Sequence, residues 1–202
     1  MCIRDSANLS TTDDDASDSY TYTLVSGTGD IDNGSFSIKG GNLHLQFNSS
    51  PDYETKSNFS VRIKTTDSSG GSFEEAFTFL VNNLNETPTA IALSDTSFNE
   101  NIAGGSTVAT MSTTDPDSSD THTYSLINGS AHSDNSFFKI DGSSLKINSS
   151  PDYETKSSYS IRVQTDDGKG GTYQEAITLT VNKIITNKGT AAFSIVQSNI
   201  DE

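Results

Sequence analysis

The residues of this chain that could do chemistry are acids, and they come in three phrases that each occur twice. One set is Asp13 with Asp15, Asp52 with Glu54, and Asp67; the other is Asp115 with Asp117, Asp152 with Glu154, and Asp167. Between the sets, residues 81–88 read Val-Asn-Asn-Leu-Asn-Glu-Thr-Pro and add Asn85 and Glu86. Carboxylates brought within ~4 Å repel by about 4 kcal/mol per pair at an effective dielectric near 20, so a cluster of them needs an offsetting cation. Oxygen donors with almost no sulfur or imidazole beside them suit calcium, which takes about six to eight oxygens. Zinc or copper would want the donors that are missing.

Catalysis is a poor fit to the same acids. A glycosidase needs one pair of carboxylates about 5 to 9 Å apart in contrasting environments, whereas here the set is repeated. His44, His122 and His132 share no metal-ligand spacing, and no Gly-x-Ser-x-Gly nucleophile motif is present. The chain is therefore expected not to be an enzyme.

The elements that must position these acids follow from an internal repeat. Residues 7–22 return as 109–124, and residues 48–57, Asn-Ser-Ser-Pro-Asp-Tyr-Glu-Thr-Lys-Ser, return letter for letter as 148–157. The period is about 100 residues, an ordinary domain size, and the first copy has a slightly longer loop around residues 27–41. Alternation with a period of two marks strands in the second copy, most clearly Tyr159, Ile161, Val163 and then Ile177, Leu179, Val181. The glycines at 168, 170 and 171 suit a hairpin between those two. No apolar spacing of three and four is long enough for a helix. About seven short strands per copy read as an all-β protein of two tandem immunoglobulin-like, seven-stranded Greek-key sandwiches. Loops of such a sandwich gather at its two poles, so Asp52 and Glu54, Asp115 and Asp117, and the connecting Asn85 and Glu86 could converge where the copies join.

Composition restricts the partners. A formal charge of −15, from 27 acids and 12 bases, opposes nucleic acid and anionic membrane surfaces and favours cations. The single cysteine, Cys2, allows no internal disulfide. No apolar run is long enough to insert in a membrane as a helix. The domains are expected at 7–84 and 85–183, with the first strand of the first copy missing. Residues 1–6 read as a non-native scar or disordered, and 184–202 as a linker and the start of a truncated further domain.

With these phrases in view, residues 7–182 resemble cadherin-like repeats, in the form found in large bacterial surface or secreted adhesins of the RTX type. Glu100-Asn101 is similar to the family's early Glu-Asn, Pro151-Asp152-Tyr153-Glu154 to its Leu-Asp-Arg-Glu, and Asp115-Pro116-Asp117 to its Asp-x-Asp. Asp167 is similar to its late lone Asp, and residues 83–88 to its interdomain Asp-x-Asn-Asp-Asn-x-Pro. The resemblance implies an interdomain calcium site of Asp52, Glu54, Asn85, Glu86, Asp115, Asp117 and Asp167. Asn83 in place of an acid, and a connection one residue short, make it a leaner site. The best-preserved ion is expected near Asp115, Asp117, Asp167 and Asn85, and the stretch 183–185 is expected to spoil a second site beyond Glu100, Asp152 and Glu154. The implied role is a calcium-stiffened extracellular spacer or adhesive array at the cell surface. Its partners would be calcium, neighbouring repeats, and a cell-surface protein or glycan. The alternatives are a carbohydrate- or protein-binding module, with Tyr20, Tyr22, Tyr124, Tyr159 and Tyr173 as candidate contacts, and a calcium-independent spacer.

Overall fold

Period-two alternation becomes regular strand wherever β-branched or aromatic residues supply the inward face. A computed structural model describes residues 6–14, 18–39, 44–129 and 133–185. They fall into two units, Met1–Asn85 and Glu86–Glu202, each an all-β sandwich.

The second unit is the fuller one. Its strands are β7 (Ala90–Leu93), β8 (Ser97–Asn99), β9 (Thr107–Thr114), β10 (Thr123–Leu126), β11 (Phe138–Asp141), β12 (Ser144–Ile147), β13 (Ser158–Asp166) and β14 (Thr172–Asn182). One sheet runs β10-β13-β14-β8 and the other β11-β12-β9-β7. The expected first strand is thus two pieces: β7 pairs antiparallel with β9, and after a short break β8 runs parallel to β14 in the opposite sheet. By changing sheets it closes the edge of both, and Ile91 and Phe98 are buried in the same core. Leu145, Ile147, Ile161, Val163 and Leu179 form the centre of that core. Phe98 and Phe138 pack around Tyr159, the latter edge-on at 5.3 Å between ring centroids. The run at 137–140 is inward at Phe138 and half-buried Ile140, while Phe137 is exposed, because alternation begins only after the 3-10 turn Asn135–Phe137.

The first unit holds β1 (Ser6–Asn8), β2 (Tyr20–Leu24), β3 (Phe36–Lys39), β4 (His44–Phe47), β5 (Asn58–Asp67) and β6 (Ser72–Leu80), in sheets β1-β4-β3 and β2-β5-β6. Its core is Tyr22, Phe36, Leu45, Phe59, Val61 and Ile63. Among the described residues nothing corresponds to β7 and β8, and β6 pays for it in exposure: Phe73 is 63% and Phe77 40% exposed. Ile177, which stands on β14 where Phe77 stands on β6, is 9% exposed.

One device recurs in both units and was not anticipated. The carboxylate Asp32 Oδ2 accepts the Ser60 N–H at 2.8 Å, and Asp134 Oδ2 accepts the Ser160 N–H at 2.8 Å. The next residue, Asn33 or Asn135, bridges two strands through its side-chain amide. These acids are structural pins between a 3-10 turn and the long strand β5 or β13, each further neutralised by a lysine, Lys56 or Lys156.

Candidate metal centre

Asp115 leaves the end of β9, Asp117 and Asp120 follow in the same loop, and Asp167 begins the β13–β14 hairpin. Because Thr123 of β10 pairs with Asp166 of β13, that loop and that hairpin emerge side by side. An oxygen from each of Asp115, Asp120 and Asp167 consequently lies within 4.8 Å of the other two. The side chains of Asp115 and Asp120 are 2% exposed, and Asp167 is buried as well.

The backbone is wrapped to hold these carboxylates. Asp167 Oδ1 accepts the N–H groups of Lys169 at 2.7 Å and Gly171 at 2.9 Å. A Cβ on Gly171 would fall 2.2 Å from Asp167 Oδ2 and 3.0 Å from the Thr87 backbone, so only glycine leaves the carboxylate its place. Asp115 Oδ1 accepts the Asp117 N–H at 3.1 Å, and Asp117 Oδ2 in turn accepts the Glu86 N–H at 2.8 Å. Buried Asp117 therefore ties the acidic loop to the start of its own unit.

A histidine and a lysine touch the cluster. His122 Nε2 lies 2.8 Å from Asp115 Oδ2, and Lys169 Nζ 2.5 Å from Asp120 Oδ1. The Asp120 hydrogen bond holds the Lys169 ammonium above the usual lysine range, with the charges of Asp117 and Asp167 adding to it. The other Asp120 oxygen is buried without a hydrogen-bond partner. A buried, oxygen-only donor set with one such atom fits a hard divalent cation and not a thiophilic one.

The first unit repeats the arrangement with Asp13, Asp18 and Asp67, again within 4.8 Å of one another. Asp67 Oδ1 accepts the N–H groups of Ser69 and Gly71. Asp15 lies outside the described residues. Tyr20 stands where the second unit has His122, and burial followed by the charges of Asp13, Asp18 and Asp67 pushes its phenol up.

Of the seven expected ligands, the second unit brings Asp115 and Asp167 together and bonds Asp117 to the backbone of Glu86. In the first unit Asp52 and Glu54 are exposed, as is Asn85. Asp52 is engaged by its own turn: Oδ1 accepts the Glu54 N–H at 3.0 Å and Oδ2 the Thr55 hydroxyl at 2.8 Å. Those bonds, the Thr55 hydroxyl first, hold its pKa below the usual carboxylate range. Asp152 is held the same way by Thr155. Its companion Glu154 pairs with Lys183, while Glu100 accepts the N–H groups of Tyr153 and Ile184. Tyr153 packs on the core, as a plug would, whereas Tyr53 is exposed. The acids that motif reasoning passed over are Asp18 and Asp120. Their signal was in the repeat itself, since a Ser-Asp precedes Tyr20 and His122 alike.

Two tandem cadherin-like domains are what this fold amounts to. The sequence model of the family described as Cadherin domain matches residues 94–184. Comparison with curated proteins finds no match. Among solved structures, human protocadherin-24 EC1-2 is similar with a TM-score of 0.67 and 20% identity, over 89% of this chain and 88% of that one. Protocadherin gammaB7 EC3-6, a cis-dimer structure, is similar with a TM-score of 0.58 and 22% identity over 82% of this chain. PcdhgB3 EC1-4 gives 0.61 and 16% over 82%. The chain spans about two fifths of those last two, 40% and 41%. Cadherin repeats are non-catalytic modules.

Proposed function

We propose that this chain is a calcium-stiffened spacer of an extracellular protein, its cadherin-like repeats held in line by calcium at the connection between them. The observation that carries the reading is the buried convergence of Asp115 and Asp167, with Asp117 bonded to the Glu86 backbone. Asp115, Asp117, Asp167 and Glu86 are the ligands offered by the second repeat. Asp52, Glu54 and Asn85 of the first enter through the motif resemblance. When bound, calcium supplies the positive charge that these carboxylates lack. The protein's own part is to hold the β9–β10 loop and the β13–β14 hairpin at coordinating distance, through Gly171 and the Asp167 turn. In the same reading the parent molecule is a large bacterial surface adhesin, with cell-surface proteins or glycans as its targets.

A carbohydrate-binding face finds less support. Tyr22 and Tyr159 are buried, and Tyr20, Tyr124 and Tyr173 pack on the cores. Titration calorimetry tests the calcium reading. Saturable binding is expected at roughly 10⁻⁴ to 10⁻³ M calcium, the range of extracellular modules. Absence of binding heat in that range refutes it. Small-angle scattering in calcium and in EDTA tests the stiffening, and superimposable profiles would remove it.

A further inference from the structure

The two repeats place the same three acids on the same loops but surround them differently. In the first, Asp18 is met by neutral donors, the hydroxyls of Ser68 at 2.8 Å and Ser69 at 3.4 Å. In the second, Lys169 occupies the place of Ser69 and sets its ammonium on Asp120. The two partners differ in freedom: the Asp120 side chain is 2% exposed and that of Lys169 is 53% exposed. A long, half-exposed lysine can swing into water, where its ammonium hydrates readily. Asp120 cannot follow it. Its second oxygen is already buried without a partner, and a buried carboxylate deprived of its lysine as well is strongly disfavoured.

This is the arrangement of an exchangeable counter-ion. Building on the calcium reading above, we propose that Asp120 is a further calcium ligand of the second repeat and that Lys169 is its resident competitor, displaced when calcium binds. Lys169 then sets the calcium concentration at which the site fills, a control that the serine of the first repeat does not exert. The charge balance is direct: one ammonium leaves Asp120 as one divalent cation arrives, so the cluster of Asp115, Asp120 and Asp167 is neutralised more fully than before. Coordinating charge count is a main determinant of calcium affinity. Loss of Asp120 should therefore weaken binding, and loss of Lys169 should strengthen it by at least about two- to fivefold, the worth of an ion pair even where both partners are exposed.

The test is a calcium titration of the isotope-labelled full chain, followed at two backbone amides. The Gly171 N–H bonds to Asp167 and reports the second repeat; the Gly71 N–H bonds to Asp67 and reports the first. Lys169→Gln is expected to lower the calcium midpoint at Gly171 by at least about two- to fivefold and to leave Gly71 unchanged, while Lys169→Arg keeps the wild-type midpoint. Asp120→Asn raises the Gly171 midpoint, and Lys169→Gln added to it has a smaller effect than in the wild-type background, because most of its action runs through the pair. A Lys169→Gln midpoint equal to or above that of wild type overturns the proposal, as does an undiminished effect in the Asp120→Asn background. If neither amide of the wild-type chain responds to millimolar calcium, the calcium reading itself fails and this inference falls with it.

Discussion

Replacing Asp167 by alanine should destabilise the second repeat mainly when calcium is present. Without calcium two effects oppose each other. The hairpin loses an acceptor for two N–H groups, bonds to a charged group that contribute about 1.5–3 kcal/mol each. The cluster is also relieved of repulsion: charges within 4.8 Å of one another repel by about 3.5 kcal/mol or more per pair at an effective dielectric near 20, less what Lys169 already offsets. The net change in EDTA is thus small. With calcium at about 2 mM and a dissociation constant near 10⁻⁴ M, binding stabilises the wild-type fold by about 1.8 kcal/mol, and the variant forfeits most of that. For a domain of this size it corresponds to roughly 7–14 °C in Tm. The quantity to measure is a difference of differences, by scanning calorimetry of both proteins in calcium and in EDTA, so the apo contributions cancel. An Asp167→Ala loss of equal size in both conditions would refute the reasoning and make Asp167 a plain turn residue.

Two further outcomes are expected. Asp32 is held below its ordinary pKa first by the Lys56 hydrogen bond and then by the Ser60 N–H. A depressed carboxylate contributes stability that is present above its unfolded value near 3.8 and lost as pH falls through the folded value. Urea midpoints between about pH 6 and pH 3 should therefore fall less steeply for Asp32→Asn than for wild type; equal slopes would remove Asp32 from the account. On the matched strands β6 and β14, Ile177→Ala should cost about 2–4 kcal/mol as a core deletion, whereas Phe77→Ala should cost distinctly less because its ring is 40% exposed. Equal losses by chemical denaturation would mean that the face of β6 is covered after all.

Much of this was legible in one dimension because repetition and alternation are local. The copied phrase at 48–57 and 148–157 fixes the tandem, and the strict alternation of Tyr159, Ile161 and Val163 fixes both the strand and its inward face, since side chains of a strand alternate whatever it pairs with. The oxygen-only chemistry of the acidic phrases needs no coordinates either. Tertiary structure decided what depends on which loops meet. Asp120 and Lys169 are far apart in sequence and become partners only because β10 pairs with β13, which brings a strand-connecting loop beside a hairpin. The same pairing leaves one Asp120 oxygen buried and alone, a property no spacing rule contains. The start of the second repeat shows only its apolar positions in sequence, Ile91 and Leu93 and then Phe98; closing two sheet edges at once makes the chain break there and change sheets. Phe77 and Ile177 occupy matching places in matching strands, and among the described residues a covering strand lies over one and not the other, which makes Ile177 core and Phe77 a surface residue.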